Sequence, residues 1–155
     1  MLTPLLEAAG EFGVEALTLY AFSTENWSRS EDEVDSLMTL FLETAKRKVP
    51  ELNQRGARLR FLGRRWRLPR EVQKAIWEAE DLTRENEKLD VYIALNYGGR
   101  AELVDAACRM IEDGLTSDKV DEATFASYLY APEVPDVDLL RAGGARGGPR
   151  DPDER

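Results

Sequence analysis

The stretch Ala21–Arg29, AFSTENWSR, holds the side chains of this sequence that are best suited to chemistry. It offers hydroxyl, carboxylate, amide, indole and guanidinium groups in one short segment: Ser23, Thr24, Glu25, Asn26, Trp27 and Arg29. An ordinary connecting loop would instead hold Gly, Pro, Asp or Asn for its turns. A guanidinium is a charge-assisted donor to phosphate oxygens, and an aromatic face attracts cations. Taken alone, Asn26 and Trp27 also fit a plain exposed turn amide and an indole at the edge of a core.

A second polar stretch, NYGGR at Asn96–Arg100, also suits an anionic ligand. Paired glycines expose backbone N–H groups, and the residues after them begin a predicted helix, so the stretch could cradle a phosphate. The alternative is tight packing between a strand and a helix, with Arg100 in a salt bridge. The motif is too short to decide between the two.

Both stretches follow predicted strands. The run Val14–Phe22 is almost entirely apolar, which is typical of a strand buried on both faces. Apolar spacing and end residues predict the other elements: a helix over Leu2–Phe12 stopped by Gly13, a long helix capped by Ser30 and Glu33, interrupted at Pro50 and stopped by Gly56, strands at Arg58–Gly63 and Leu89–Leu95, and helices over Pro69–Glu85, Ala101–Glu112 and Asp121–Leu129.

This alternation of strands and helices predicts an α/β fold with a parallel β-sheet covered by helices on both faces. In such sheets ligands bind beyond the carboxyl ends of the strands, where both polar stretches fall. We expect one domain over residues 1–140. Residues 141–155 are rich in Gly, Pro and charge, so we expect a hydrophilic, disordered tail.

Composition limits the chemistry further. The sequence has no histidine, which removes Ser-His-Asp and Cys-His catalysis and histidine-ligated zinc. Its single cysteine, Cys108, cannot form an internal disulfide and is expected to pack in a helix. No apolar run approaches the length of about 20 residues that spans a bilayer, and the first residues lack a basic leader. We therefore expect a soluble, cytoplasmic protein.

A net charge of −9 argues against general binding to nucleic acids or anionic membranes. The one basic cluster surrounds Trp66 and comprises Arg58, Arg60, Arg64, Arg65, Arg67 and Arg70. It could serve as a nucleic-acid patch with a stacking aromatic ring. The overall acidity favours a solvated face or a contact at a dimer edge.

The strings GVEALTLYAFSTENWSR, LNYGGRAELVDA and PDVDLL together resemble the cis-prenyltransferases, whose best-known bacterial member makes undecaprenyl diphosphate. The resemblance extends from about Leu5 to Leu140. It implies an enzyme that condenses isopentenyl diphosphate with an allylic diphosphate such as farnesyl diphosphate. It also implies Mg²⁺, a cytoplasmic homodimer, lipid carrier synthesis for the cell wall, no nucleic acid, and at most peripheral membrane contact through the lipid product.

The resemblance implies roles for individual residues as well. Ser23, Thr24, Glu25, Trp27 and Arg29 would contact substrate, and Asn26 occupies the position assigned to proton removal. Because a carboxamide is a poor base, we expect Asn26 to orient the proton while a diphosphate oxygen or the Ser23 hydroxyl receives it. The stripe Leu37, Met38, Phe41 and Leu42 is plain core by composition, but the resemblance implies that part of it lines a tunnel for the growing chain.

The sequence departs from the family pattern at both ends. Nothing matches the D-G-N-G-R-W motif, whose aspartate holds Mg²⁺, so no metal ligand is predicted. The stretch DLLRAGGARGG begins like the family's D-L-L-I-R-T-G-G-E, so Arg141 is a further candidate substrate ligand. These gaps predict a truncated enzyme without the first strand and the last elements, and this chain could be an inactive fragment. The alternative is a non-catalytic partner or scaffold subunit of a prenyltransferase.

Overall fold

The structure is a computed structural model that describes residues 8–140. Residues 1–7, which include the first six residues of the predicted amino-terminal helix, and the predicted tail 141–155, which includes Arg141, lie outside the described residues. Residues 8–11 are helical, and the chain turns at Gly13, whose φ of +72° suits glycine. The predicted glycine stop is therefore confirmed.

Three strands and four helices follow in the alternating order that the sequence predicts. They are listed in chain order: β1 Ala16–Ser23, α1 Glu31–Gln54, β2 Ala57–Leu62, α2 Arg70–Thr83, β3 Leu89–Tyr97, α3 Gly99–Glu112 and α4 Glu122–Ser127. Short 3-10 helices lie at Thr24–Ser28, Arg65–Arg67 and Ser117–Lys119. The predicted caps are present, since Ser30 Oγ accepts from Glu33 N and Asp121 Oδ1 accepts from Thr124 N.

The strands form a parallel sheet in the order β1-β3-β2. In its register Leu17 lies beside Val91 and Leu59 beside Val91, so the three strands run level across the sheet. Because all three are parallel, their carboxyl ends meet at one edge. The segments that follow β1 and β3, which carry the two polar stretches, therefore leave the sheet side by side.

The main core fills the space between one sheet face and the helices α1 and α2. Alternate residues of the central strand, Val91 and Leu95 among them, point into this core and meet Met38 of α1 and Ile76 of α2. The intervening residues of β3 point to the opposite face, where Tyr92 is buried. Ala106 and Met110 of α3 are buried outside the main cluster. Helices therefore cover both faces of the sheet, as predicted.

The two edges of the sheet, formed by the outer strands β1 and β2, differ in how their backbone groups are covered. At the β2 edge, side chains of α2 occupy two backbone donors: Thr83 Oγ1 accepts from Leu59 N at 3.0 Å and Glu80 Oε1 accepts from Phe61 N at 2.9 Å. Within residues 8–140, β1 pairs only with β3. Its outer edge is open in the described structure, and Tyr20 on this strand is 60% exposed.

Four sequence predictions were wrong in detail. β1 is not buried on both faces, since Thr18, Tyr20 and Ala21 along it are exposed. Helix α1 runs through Pro50 to Gln54, since buried Leu52 anchors its last turn although Pro50 donates no hydrogen bond. Asn96 belongs to β3 rather than to a loop after it. Cys108 is exposed, because the sheet side of α3 is taken by Ala106 and Met110.

No helix among residues 8–140 is long and apolar enough to cross a membrane.

Candidate functional site

The predicted site residues lie on a short, well-defined turn at the carboxyl edge of the sheet. β1 ends at Ser23, a 3-10 helix covers Thr24–Ser28, and Ser30 caps α1. Only Arg29 separates the 3-10 helix from that cap. The turn is therefore fixed at both ends by regular structure, which limits the conformations open to its side chains.

Asn26 folds back on the start of the turn. Its Oδ1 accepts a hydrogen bond from the backbone N–H of Ser23 at 2.8 Å. Since the partner is a donor, the atom facing it must be the oxygen of the carboxamide. The Nδ2 group is left without a partner among the described residues. Asn26 can therefore still donate a hydrogen bond through Nδ2, and its role in proton transfer stays a prediction.

Trp27 is held from two sides. Its Nε1–H donates to Asn96 Oδ1 at 2.7 Å, and its ring meets Phe22 edge-on with centroids 5.3 Å apart. Phe22 is buried in the main core. The indole is therefore packed at the edge of the core and hydrogen-bonded to Asn96, as the structural interpretation of Trp27 predicts, and its contact with substrate stays a prediction.

The second polar stretch lies directly against this turn. A Cβ at Gly98 would lie 2.3 Å from Thr24 Oγ1, so only glycine permits the observed approach. The φ of Gly98 is −157°, an extended conformation, so this glycine is required for its small size. Gly99 then begins α3. The NYGGR stretch thus combines close strand-to-helix packing with a helix amino terminus at the site.

The predicted salt bridge of Arg100 does not form among residues 8–140. Arg100 is exposed, and its charge helps to lower the pKa of Glu25 below the usual value. The main cause of that lowered pKa is a hydrogen bond from the backbone N–H of Glu25, followed by one from the Ser23 hydroxyl. Glu25 is therefore ionised, and the hydroxyl of Ser23 is directed towards its carboxylate.

Arg29 is the candidate cation of the turn. It is exposed and forms no ion pair or side-chain hydrogen bond with any residue in the described part of the chain. Most arginines of the adjoining β2 segment, by contrast, are engaged with acids. A guanidinium that no carboxylate neutralises, at the edge where ligands bind in parallel sheets, is available to an anionic ligand.

The arginine cluster around Trp66 consists mainly of ion pairs. Arg58 pairs with Asp90, Arg60 with Glu133, Arg64 with Asp105 and Arg65 with Glu80. Three of these pairs, Arg58–Asp90, Arg64–Asp105 and Arg65–Glu80, are bidentate. The acids neutralise much of the positive charge that a nucleic-acid patch would need. The cluster therefore fits the alternative interpretation, a solvated face or a contact at a dimer edge, better than a nucleic-acid patch.

A network of tyrosines and acids adjoins the site, which the sequence analysis did not identify. Tyr97 donates to Glu102 Oε2 at 2.7 Å, and the Tyr130 hydroxyl donates to Asp105. Burial is the main cause that raises the pKa of Tyr130 to about 12, and the pKa of Tyr97 is raised in the same direction. These residues are 33 positions apart or less along the chain, but no fixed spacing marks them, so only the fold brings them together.

Asn96 was noted only as part of a glycine-rich motif, yet it lies at the centre of the site. It is 1% exposed and has a φ of 54°. An asparagine before paired glycines at the end of an apolar strand was the available sign, because asparagine tolerates this left-handed conformation.

The apolar stripe of α1 belongs largely to the core. Met38 is buried, and Leu37, Phe41 and Leu42 are partly buried against the main cluster. Phe41 meets Phe61 of β2 edge-on at 6.1 Å. No tunnel is assigned from these contacts.

The described residues do not fit a magnesium site. Residues 8–140 contain no group of three or more acidic or cysteine side chains that could hold a metal ion. On the Ser23–Arg29 turn, Glu25 is the single carboxylate. Hard cations such as Mg²⁺ prefer several oxygen ligands in octahedral geometry, which this turn does not supply.

Comparisons with known proteins agree on one family. Residues 1–146 match the family model described as putative undecaprenyl diphosphate synthase. A trans,polycis-polyprenyl diphosphate synthase, described as specific for (2Z,6E)-farnesyl diphosphate, from Thermobifida fusca is 48% identical over 90% of this chain and 51% of its own length. An isoprenyl transferase 2 from Corynebacterium glutamicum is 42% identical over 94% of this chain and 62% of its own length.

Solved structures give the same result for the fold. A probable undecaprenyl diphosphate synthase from Campylobacter jejuni has a TM-score of 0.78 at 33% identity, covering 84% of this chain and 62% of that one. Lavandulyl diphosphate synthase from Lavandula x intermedia, solved with dimethylallyl diphosphate, has a TM-score of 0.77 at 35% identity, covering 83% of this chain and 57% of that one. The chain thus spans between half and two thirds of the length of these relatives.

Proposed function

This chain belongs to the undecaprenyl diphosphate synthase family of cis-prenyltransferases, and from that membership we propose that it takes part in condensing isopentenyl diphosphate with an allylic diphosphate such as farnesyl diphosphate. In this reaction the allylic carbon is bonded to isopentenyl diphosphate as its own diphosphate leaves, and a proton is lost. The product is a cis-polyprenyl diphosphate. Because the chain spans only part of its relatives' length, the complete activity is part of the proposal.

The observation that carries the proposal is the division of labour on the Ser23–Arg29 turn. One set of groups fixes the turn: Asn26 Oδ1 to Ser23 N and Trp27 Nε1 to Asn96. Another set has no partner among the described residues, namely the guanidinium of Arg29 and the Nδ2 group of Asn26. A rigid turn with uncommitted donors is what recognition of a diphosphate requires, since preorganised donors spend no free energy on ordering themselves.

The proposed roles follow from this arrangement. Arg29, together with the exposed Arg100 and the amino terminus of α3, would neutralise diphosphate charge. The Asn26 Nδ2 group would orient a diphosphate oxygen, and either that oxygen or the Ser23 hydroxyl, which faces ionised Glu25, would receive the proton. Thr24 and Trp27 would form the wall beside the isoprenoid. Arg141 stays a candidate substrate ligand outside the described residues.

The decisive experiment incubates the folded chain with farnesyl diphosphate, labelled isopentenyl diphosphate and Mg²⁺, and measures the labelled polyprenyl diphosphate formed. Product is expected from the parent chain and not from Asn26→Ala. In parallel, calorimetry measures the affinity for each diphosphate. Binding without product would assign substrate recognition, but not catalysis, to this chain. Failure to bind either diphosphate would refute both substrate recognition and catalysis by this chain.

A second candidate function is a non-catalytic subunit that stabilises a prenyltransferase partner. The open edge of β1 favours it, because an unpaired strand edge can take a strand from another chain. Mixing the purified chain with a full-length prenyltransferase of the same organism, followed by sedimentation, tests this candidate. A complex with raised prenyltransferase activity is expected, and independent sedimentation of the two proteins would exclude it.

The finer expectations from the resemblance belong to this proposal too. They are a cytoplasmic homodimer, use of Mg²⁺, peripheral membrane contact through the lipid product, and a place in lipid carrier synthesis for the cell wall. Since the described residues do not fit a magnesium site, we assign charge neutralisation in the described part to its arginines and backbone N–H groups.

A further inference from the structure

Asn96 joins three segments at the carboxyl edge of the sheet. Its Oδ1 accepts from Trp27 Nε1 at 2.7 Å, its Nδ2 donates to the backbone oxygen of Arg64 at 2.8 Å, and its own backbone oxygen accepts from Arg64 N at 3.1 Å. A donor on one side and an acceptor on the other fix the orientation of the carboxamide. The side chain therefore has one conformation that satisfies both contacts.

The surroundings leave Asn96 no room to adapt. It is 1% exposed, and its φ of 54° is a conformation in which asparagine is several-fold enriched. Gly63, which packs on the other side, has a φ of +121°, and a Cβ there would lie 2.3 Å from Leu95 O and 2.8 Å from Asn96 O. The Asn96 carboxamide therefore lies where three segments pack closely: the residues after β2, the end of β3 and the Ser23–Arg29 turn.

Trp27 is the member of the turn that this arrangement holds. Trp27 follows Asn26 directly in the chain and precedes Arg29 by two residues. Asn26 is itself held in the turn, since its Oδ1 accepts a hydrogen bond from Ser23 N. A 3-10 helix as short as Thr24–Ser28 has little stability of its own, so external contacts set its orientation. The Trp27–Asn96 hydrogen bond is the side-chain hydrogen bond that ties this turn to β3.

We propose that Asn96 is a positioning residue for the candidate site: it fixes the indole of Trp27 and thereby the direction in which Asn26 and Arg29 face the ligand. This inference rests on the proposed function for the nature of the ligand. The contact between Asn96 and Trp27 is testable without it.

The test uses the full chain and two variants. Asn96→Gly removes the side chain while keeping the left-handed backbone accessible, and Trp27→Phe removes the donor. The first measurement is hydrogen exchange of the Trp27 Nε1–H, followed by NMR and assigned as the indole signal that Trp27→Phe lacks. We expect exchange at least tenfold faster in Asn96→Gly than in the parent. Equal exchange in the parent and in Asn96→Gly would overturn the proposal.

The second measurement is the affinity for isopentenyl diphosphate, in a cycle of Asn96→Gly and Trp27→Phe. If Asn96 acts through Trp27, each single variant weakens binding several-fold, and the double variant binds no more weakly than Trp27→Phe alone. Losses that multiply would show that Asn96 does not act through the indole. Should Asn96→Gly fail to fold, Trp27→Phe alone provides the test: it should weaken binding several-fold because the turn loses its hydrogen bond to Asn96, and an affinity equal to that of the parent would contradict the proposal.

The two proposals fail in distinguishable ways. A parent chain that binds no isopentenyl diphosphate refutes the proposed function, while the exchange rate of the indole proton still decides whether Asn96 holds Trp27.

Discussion

Arg29 and Asn96 show opposite ways in which a polar residue can serve the site. Asn96 is buried and both of its side-chain hydrogen bonds lie within the protein, whereas Arg29 is exposed and forms no side-chain hydrogen bond or ion pair with a described residue. Burying an unpaired polar group costs free energy, so Asn96 must keep its partners. Because Arg29 is exposed to water, its unpaired guanidinium carries no desolvation penalty. It is therefore available to bind a ligand. The first residue shapes the site and the second is free to bind.

Arg29→Ala is expected to weaken binding of farnesyl diphosphate or isopentenyl diphosphate. A charge-assisted hydrogen bond contributes about 1.5 to 3 kcal/mol, so the dissociation constant should rise about ten- to a hundredfold. Calorimetry measures the effect. The matched control is Arg47→Ala, which removes the same charge from an exposed position about 24 Å along α1 from its start. Similar weakening by both variants would attribute the effect to net charge alone.

Gly63→Ala tests the close packing behind the site. A Cβ at Gly63 would lie 2.3 Å from the backbone oxygen of Leu95, and the φ of +121° is unfavourable for alanine. Backbone cannot move aside as a side chain can, so the free energy of unfolding should fall by about 3 kcal/mol or more. Gly99→Ala is the control, since nothing lies within 4 Å of its Cβ position at the start of α3. Chemical denaturation compares the two, and equal effects would contradict the packing described.

The sequence predicted the order and type of the helices and strands well. It predicted poorly which residues surround each of them. The apolar period of α1, its Ser30 cap and the glycine at its end were legible because they are local features. The exposure of β1 was not, because an apolar run looks the same whether or not neighbouring segments cover it. Asn96 and the tyrosine network escaped for the same reason: their partners Trp27, Arg64 and Asp105 are distant in sequence and meet only at the sheet edge.

Helix α2 closes one edge of the sheet, and Thr83 tests that role. Its buried Oγ1 accepts from Leu59 N and donates to Ala79 O. Thr83→Val keeps the shape but leaves the Leu59 N–H without a partner, which should lower the free energy of unfolding by about 1 to 3 kcal/mol. Thr39→Val, at an exposed position of α1, should change it by less than about 0.5 kcal/mol. The edge would not depend on this side chain if both variants unfolded at the same denaturant concentration.

The contact between α3 and the segment at Tyr130 predicts a loss of stability in alkali. Burial, and then the hydrogen bond to Asp105, raises the pKa of Tyr130 to about 12 from an ordinary value near 10. A raised pKa means that the unfolded chain loses this proton first, so the stabilisation is complete below pH 10 and declines as the pH rises towards 12. Unfolding free energies measured across this range should fall less steeply for Tyr130→Phe than for the parent. Parallel curves would show that Tyr130 ionises equally in both states.

At the scale of the whole molecule, some parts of the described surface are covered by other elements and others leave apolar side chains or a strand edge exposed. The β2 edge is closed by α2, while the β1 edge is open and α3 exposes a row of apolar side chains at helical spacing: Leu103, Val104 and Ile111. The family could be identified from the sequence because its specific strings lie within this chain. How those strings pack could not be inferred, since their burial depends on contacts with residues that are distant in sequence.

Within residues 8–140, an exposed apolar helix face and an open strand edge predict self-association of the isolated chain. Ile111 is 74% exposed, so Ile111→Lys should cost little folding free energy while placing a charge in the apolar row. Sedimentation velocity at about 0.1 mM should show associated species for the parent and a larger monomer fraction for Ile111→Lys. The control is Glu112→Lys, which introduces the same lysine at the next exposed position and leaves the apolar row intact. A parent that stays monomeric throughout would contradict the prediction, and an equal shift for both variants would show that the apolar row does not drive the association.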